Sequence, residues 1–328
     1  MFRSVFLILS VVFLVSCGKK EKLQDEKTTV IIKVPEFNAD SAFWFTESQV
    51  KFGPRIPNSP AHQATADFFL AKLKTYGAVA TVQEFEAYSF DGKKLFLKNI
   101  IASYFPEKQK RILVAAHWDT RPFSDKDKEN PDSKFDGAND GASGSAVLLE
   151  LARALKNNPP PEVGVDLIFF DGEDWGEGEK TNVPTPDGQE SWWCLGSQYW
   201  AKHKHKSNYS AYYGILLDMV GGKGTHFFQE ANSLNYAPRT VEKVWRTAAR
   251  LGYSSLFVQQ KEGSVVDDHV FVNEWAKIPM IDIIPFDTQT GAFGDFHHTQ
   301  KDNMSVIDKE ILGAVGSVVL NVIYYEEP

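Results

Sequence analysis

The chain has 328 residues, 43% of them hydrophobic and 24% charged, and carries a formal net charge of −8. This is the composition of a soluble globular protein with enough apolar side chains for a sizeable core. The acidic balance lacks the basic footprint that nucleic-acid phosphates require, so nucleic acid is not an expected partner.

The N-terminus reads as a targeting segment. Arg3 precedes an apolar run from Val5 to Val15, and Ser16-Cys17-Gly18 is followed by Lys19, Lys20, Glu21 and Lys22. That run is shorter than the roughly 20 residues of a spanning helix and fits a secretion signal. Leu14-Val15-Ser16-Cys17 resembles the lipobox of bacterial lipoproteins. The resemblance implies a signal peptide over residues 1–17, lipidation at Cys17, and a place in the bacterial cell envelope, periplasmic or surface-facing. Residues 18–36 read as a charged tether. No repeat or linker divides residues 37–328, which are expected to form one domain. Cys194 is the other cysteine, so lipidation of Cys17 rules out an intrachain disulfide; beside Leu195 it reads as a buried structural thiol.

Within the domain, residues 61–76 carry Ala64, Phe68, Phe69, Leu73 and Tyr76 in helical rhythm and stop at Gly77. Strand-like runs follow at 79–85, 100–104 and 112–116. Residues 146–156 form a helix with Val147, Leu148, Leu151 and Leu155 in one stripe. Further strands are expected at 165–170, 214–219 and 278–284, and a final helix at 307–324 with Ile307, Ile311, Val315, Val318 and Val322 on one face. Several strands are apolar at consecutive positions, as in sheets covered on both faces. The fold class is α/β: a single three-layer domain with a central, mainly parallel sheet and helices on both faces.

Such sheets bind ligands beyond the carboxyl ends of their strands. There the 112–116 strand delivers His117-Trp118-Asp119-Thr120, the 165–170 strand Asp171-Gly172-Glu173-Asp174, and the 214–219 run Asp218. Gly137-Ala138-Asn139-Asp140-Gly141 precedes a helix, and Asp295-Phe296-His297-His298-Thr299 lies between the last strand and the last helix. One acid at a strand end can be a helix cap, and one histidine is commonly structural. Five such groups on one edge repel one another unless a cation collects them. Carboxylate plus imidazole without thiolate is the ligand set of an open catalytic zinc site.

The order His-x-Asp, Gly-Ala-x-Asp, Asp-Gly-Glu-Asp, a strand-end Asp and a late His-Thr resembles the zinc aminopeptidase superfamily and, within it, glutaminyl cyclase. Phe52-Gly53-Pro54-Arg55, Asn99-Ile100-Ile101, the LELARAL run from Leu149 to Leu155, Leu167 to Glu173, Asp267-Asp268-His269 and His298-Thr299 resemble cyclase signatures in the family order. The resemblance implies one Zn2+ per chain on Asp140, Asp174 and His298, with Glu173 as proton shuttle and Asp218 and Asp267 in an acidic network around it. The implied substrates are peptides or proteins with N-terminal glutamine, converted to pyroglutamate with release of ammonia.

Three positions depart from the animal cyclases: Asp174 replaces a glutamate, His297 a pocket tryptophan, and Asp282 a histidine. His297, Trp118, Trp175, Trp192 and Trp193 are then candidates for the pocket wall, with residues 176–191 as a loop beside its mouth. The rival reading is a two-zinc aminopeptidase, in which His117, Asp140, Asp174, Asp218 and His298 hold two ions; in a cyclase His117 stands beside the metal without a second zinc. A surface-tethered binding protein gives Glu173 no purpose beside the ligands. His203 and His205 alternate with lysines as a solvated run, His62 and His226 carry no motif, and His269 reads as a structural hydrogen-bonding partner.

Overall fold

The structure is a computed structural model that describes residues 33–178, 183–290 and 293–328. The leader with Cys17, the tether as far as Ile32, and residues 179–182 of the mouth loop lie outside the described residues. Among the described residues no helix is long and apolar enough to cross a membrane.

Asn38 opens α1 (Ala39–Phe52) by accepting from the Ser41 N–H, and Ser59 opens α2 (Pro60–Thr75) by accepting from His62, with Pro60 in the first turn, where its missing N–H costs nothing. Six strands form the main sheet: β1 (Val79–Tyr88), β2 (Lys94–Tyr104), β3 (Arg111–His117), β4 (Gly164–Phe170), β5 (Tyr213–Leu217) and, late in the chain, Met280–Ile283. The helix α3 (Ala142–Asn157) crosses between β3 and β4, and α4 (Leu195–Lys202) precedes β5. Beyond β5 come β6 (Phe227–Gln229), α5 (Ala231–Tyr236), α6 (Pro238–Arg250), β7 (Phe257–Lys261) and α7 (Asp268–Phe271), so Met280–Ile283 is β8, and α8 (Lys309–Tyr324) ends the fold.

The strand order is β1-β2-β4-β3-β5-β8. β4, β3, β5 and β8 run parallel, whereas β1 and β2 pair antiparallel with their neighbours. The sheet is therefore mixed, with its parallel half carrying the crossover helices. Alternation along β3 shows how both faces are covered: Ile112, Val114 and Ala116 join the core cluster of α1, α2, α3, α6 and α8, while Leu113 and Ala115 face Trp200 and Ala201 of α4. All seven residues of β3 and of β4 are buried, which is why Ile112–Ala116 and Leu167–Phe170 read as apolar runs, while the buried Asp166 inside β4 is paired with Arg111 of β3.

Element ends moved for identifiable reasons. The last strand begins at Met280 rather than Ile278, because Pro279 has no N–H to give a ladder. β5 ends at Leu217, with Met219 already at a left-handed φ of 50°. The final helix starts at Lys309, capped by Asp308, and leaves Ile307 extended. α6 lies outside the expected elements although Val241, Val244, Trp245 and Ala248 have helical spacing and are buried.

Candidate active site

The parallel register builds one acidic edge. β3 pairs His117 with Phe170 of β4 and Ala115 with Leu216 of β5, so Asp171 and Asp218 leave their strands close to the level of His117. Two buried carboxylates then pin the loops that carry the other acids. Asp302 accepts the N–H groups of Asn139 at 2.7 Å and Asp140 at 3.0 Å, and Asp119 accepts those of Glu173 at 3.0 Å and Asp174 at 3.1 Å. Arg55, fully buried, holds the carbonyls of Asp136 and Gly137 beneath the Asp140 loop. His62, which carries no motif, lies within 2.9 Å of both oxygens of Asp171 and stacks on Trp118. Its partnership with the first acid of Asp171-Gly172-Glu173-Asp174 is fixed only by the tertiary fold.

Asp140, Asp174 and His298 converge. Nε2 of His298 lies 3.0 Å from Asp174 Oδ1 and 3.5 Å from Asp140 Oδ2. Both oxygens are buried, and neither has a hydrogen-bond partner. Leaving two such oxygens unsatisfied is costly unless a cation takes them. Two carboxylates and an imidazole without thiolate suit zinc, so the residues present fit the ion.

His117 occupies the other side of Asp140. Its Nε2 lies 3.1 Å from Asp140 Oδ1 and 3.1 Å from Asp218 Oδ1, and its Nδ1 is 3.5 Å from Asp119. His117, Asp140 and Asp218 thus form a second cluster with metal-ligating donors, as do Asp140, His297 and His298. The charges are strongly coupled across these clusters. Burial works against the imidazolium of His298, yet Asp174, Asp125 and Asp140 raise its pKa to about 9. Burial, opposed by His117 and reinforced by Asp267 and Asp140, lifts Asp218 to about 7. Asp140 stays below the usual carboxylate range despite its burial, because His117, His298 and His297 surround it.

Glu173 is lifted well above its ordinary range, first by burial and then by Asp267, Asp174 and Asp268, against the opposing pull of His117. The thiol of Cys194 donates to Glu173 Oε1 at 3.4 Å, and donor atoms of Glu173, Cys194 and Asp267 lie within 4.8 Å of one another. The buried cysteine therefore touches the acidic cluster besides filling space. Asp267 caps α7 by accepting the Asp268 N–H. His269 is fully buried, with Nε2 3.4 Å from Glu230 and Nδ1 3.8 Å from Asp282.

A cavity of about 410 Å³ opens over these groups, lined by Asp140, Glu173, Asp174, Asp218, Asp267 and His298 at its base and by Trp193, His297, Val266 and Phe293 on its walls. Of the tryptophans expected there, Trp193 alone lines it. Trp175 packs with Ile56, Phe85 and Leu195, Trp192 donates to the carbonyl of Val183, and Trp118 is in the core. Mouth-loop residues Glu177, Gly178 and Ser191 do reach the cavity.

Sequence reasoning met Asp119 only as part of the His-x-Asp motif, without a role, and passed over Arg121, Asp125 and Asp302. Arg121 carried the one available signal, a cation directly after the strand-end run His117-Trp118-Asp119-Thr120. Asp119 and Asp302 act through backbone N–H groups distant in sequence, which leave no mark on spacing.

A parallel-edge site of carboxylates and imidazoles on a helix-covered mixed sheet defines an α/β fold of the zinc exopeptidase type. The model for Peptidase family M28 matches residues 99–323, and the chain belongs to that zinc-dependent enzyme family. The solved glutaminyl cyclase of Bacteroides thetaiotaomicron, bound to N-acetylhistamine, is 45% identical with a TM-score of 0.86, covering 90% of this chain and 100% of that one. The glutaminyl-peptide cyclotransferase of Bos taurus is 31% identical over 324 residues, 88% of this chain and 82% of that protein. Aminopeptidase YwaD of Bacillus subtilis is 31% identical over 235 residues; this covers 69% of the chain but only 44% of YwaD.

Proposed function

We infer that the protein is a glutaminyl-peptide cyclotransferase: it converts the N-terminal glutamine of peptides or proteins to pyroglutamate and releases ammonia. The observation that carries this reading is the 45% identity that spans the whole of a solved bacterial glutaminyl cyclase. The cavity is consistent with it, being a space of small-ligand size with Glu173 beside the converging donors.

In this reading Asp140, Asp174 and His298 hold one zinc per chain. When bound, the ion supplies Lewis-acid chemistry toward the amide oxygen. The chain's own residues handle the proton. The α-amine, with an ordinary pKa of about 7.7 to 8.0, is partly protonated at neutral pH and attacks only after losing its proton. The neutral amine attacks, and Glu173 takes one of its two protons as the bond from the amine nitrogen to the side-chain carboxamide carbon forms. It returns the proton to the departing nitrogen as the old carbon–nitrogen bond breaks. Trp193, Val266 and Phe293 wall the substrate, and folding the side chain back on its own amine supplies the proximity that an intramolecular attack exploits. Asp218 and Asp267 complete an acidic network around Glu173. No covalent enzyme intermediate is needed.

The rival is a two-zinc aminopeptidase, favoured by one observation: His117, Asp140 and Asp218 stand ready-made as a second donor set. A single experiment separates the two. The purified protein is given a glutaminyl peptide and a leucyl amide in parallel, with zinc counted by elemental analysis. Ammonia from the peptide, an inert leucyl amide and one zinc per chain are expected. Leucine release with two zincs, one of them lost in His117→Ala, would overturn the cyclase reading. The reading includes anchorage to the bacterial envelope through lipidated Cys17, supported by the lipobox-like Leu14-Val15-Ser16-Cys17.

A further inference from the structure

Three features meet at His298. Its backbone adopts φ 55°, a left-handed conformation rare for a residue with a side chain, and its carbonyl accepts the N–H of Lys126 at 3.2 Å. Its Nδ1 lies 3.4 Å from Oδ1 of Asp125, which lines the cavity beside Lys126. The segment 125–126 thus grips both the main chain and the ring of one residue. Such strained backbone persists only where its surroundings over-determine it.

Behind Asp125 stands Arg121, whose side chain is wholly buried. Nε and Nη2 donate to the two Asp125 oxygens at 2.9 and 2.6 Å, a bidentate fork. Nη1 donates to the carbonyls of Asp174 at 3.3 Å and Gly176 at 3.1 Å. The backbone N–H of Arg121 takes Asp174 Oδ2 at 3.2 Å, which leaves Oδ1 turned toward His298 Nε2. The guanidinium carbon also lies 4.7 Å from the ring of Trp193, which stacks parallel to His298. One residue therefore reaches the acid, the imidazole's carboxylate partner and the pocket wall.

We propose that Arg121 and Asp125 form a positioning pair for the metal: Asp125 holds His298 with Nδ1–H outward and its Nε2 lone pair inward, while Arg121 fixes Asp125 and selects which oxygen of Asp174 faces the ion. The pair explains how an aspartate, one methylene shorter than a glutamate, is kept in reach, since the loop is pulled in through its carbonyl and its outer oxygen. Partners of this kind orient metal-bound imidazoles and typically contribute 10–100-fold to affinity. The inference rests on the reading that Asp140, Asp174 and His298 hold zinc.

The test is zinc affinity, measured on the full-length protein by competition with a chelator of known strength, beside the melting temperature of the zinc-free form. His298→Ala should abolish high-affinity zinc binding; if it does not, the ligand assignment fails, separately from the positioning pair. With that assignment standing, Asp125→Ala should weaken zinc by about 10–100-fold; it should also lower the zinc-free melting temperature, because the buried Arg121 guanidinium loses its fork partner. Asp125→Asn, which keeps an acceptor oxygen but loses the charge, should weaken zinc less. Arg121→Lys should also lower affinity, because an ammonium cannot supply the fork. Should that variant fail to fold, the half-exposed Asp125 decides. Zinc held as tightly in both Asp125 variants as in the unaltered protein, even with a raised KM, would overturn the proposal.

Discussion

At the scale of single residues, the sequence places Glu173 and Asp174 side by side, and the structure sends them to different neighbours. Asp174 Oδ1 turns to His298, whereas Glu173 Oε1 meets the Cys194 thiol beside Asp267. This division of labour yields a sharp expectation for Glu173→Gln. The amide cannot accept the amine's proton, so turnover should fall by about 100-fold or more, while zinc content measured on the same sample stays at the unaltered level. Loss of the metal in this variant would mean that the ligand register at the acidic pair is off by one.

At the scale of elements, the parallel strands are spaced so that α3 lies directly on their ends. A Cβ built on Gly144 would stand 2.3 Å from the carbonyl oxygen of Leu217 in β5 and 2.9 Å from the Ala116 side chain in β3. Only a residue without a side chain permits this approach, and the approach sets the Asp140 loop, just before α3, against His117 and Asp218. Gly144→Ala should lower unfolding free energy by about 1–3 kcal/mol, as overpacking of a close-packed core does, read from denaturant midpoints at constant m-value. An unchanged midpoint would show that α3 can shift without cost. The segment after α4 teaches the reverse lesson about local reading. His205, in an alternating lysine run that looks solvated, is covered by Trp200 and accepts from its indole N–H, and burial pulls its pKa down to about 4. Charge spacing described the exposed half of that run but not the half that the neighbouring helix covers.

At the scale of the whole molecule, an acidic chain with a short apolar leader has one route to a membrane under our reading, the lipid on Cys17. Cys17→Ala should move the protein from the membrane pellet to the soluble fraction, because the lipid is the one attachment to the membrane that this reading gives the chain. Unchanged partition on fractionation would remove the lipoprotein assignment and leave the catalytic reading untouched.

The sequence by itself determined what depends on neighbours along the chain. Largely apolar runs at 112–116, 165–170 and 214–217 announce buried strands, and the acids and histidine that follow them must emerge at one edge if those strands are parallel, so His117, Glu173, Asp174 and Asp218 were legible as a group, to which the loops before the helices at 146–156 and 307–324 added Asp140 and His298. The tertiary structure alone decided what depends on packing between distant segments. It assigned Trp193 to the cavity and Trp175 to a separate core, gave Asp119 and Asp302 their backbone partners, and put Arg121 behind Asp174 and Asp125. The reason is one of range: periodicity reports which side of its own element a residue faces, whereas orientation within a site is set by contacts across many residues of chain, which no local pattern encodes.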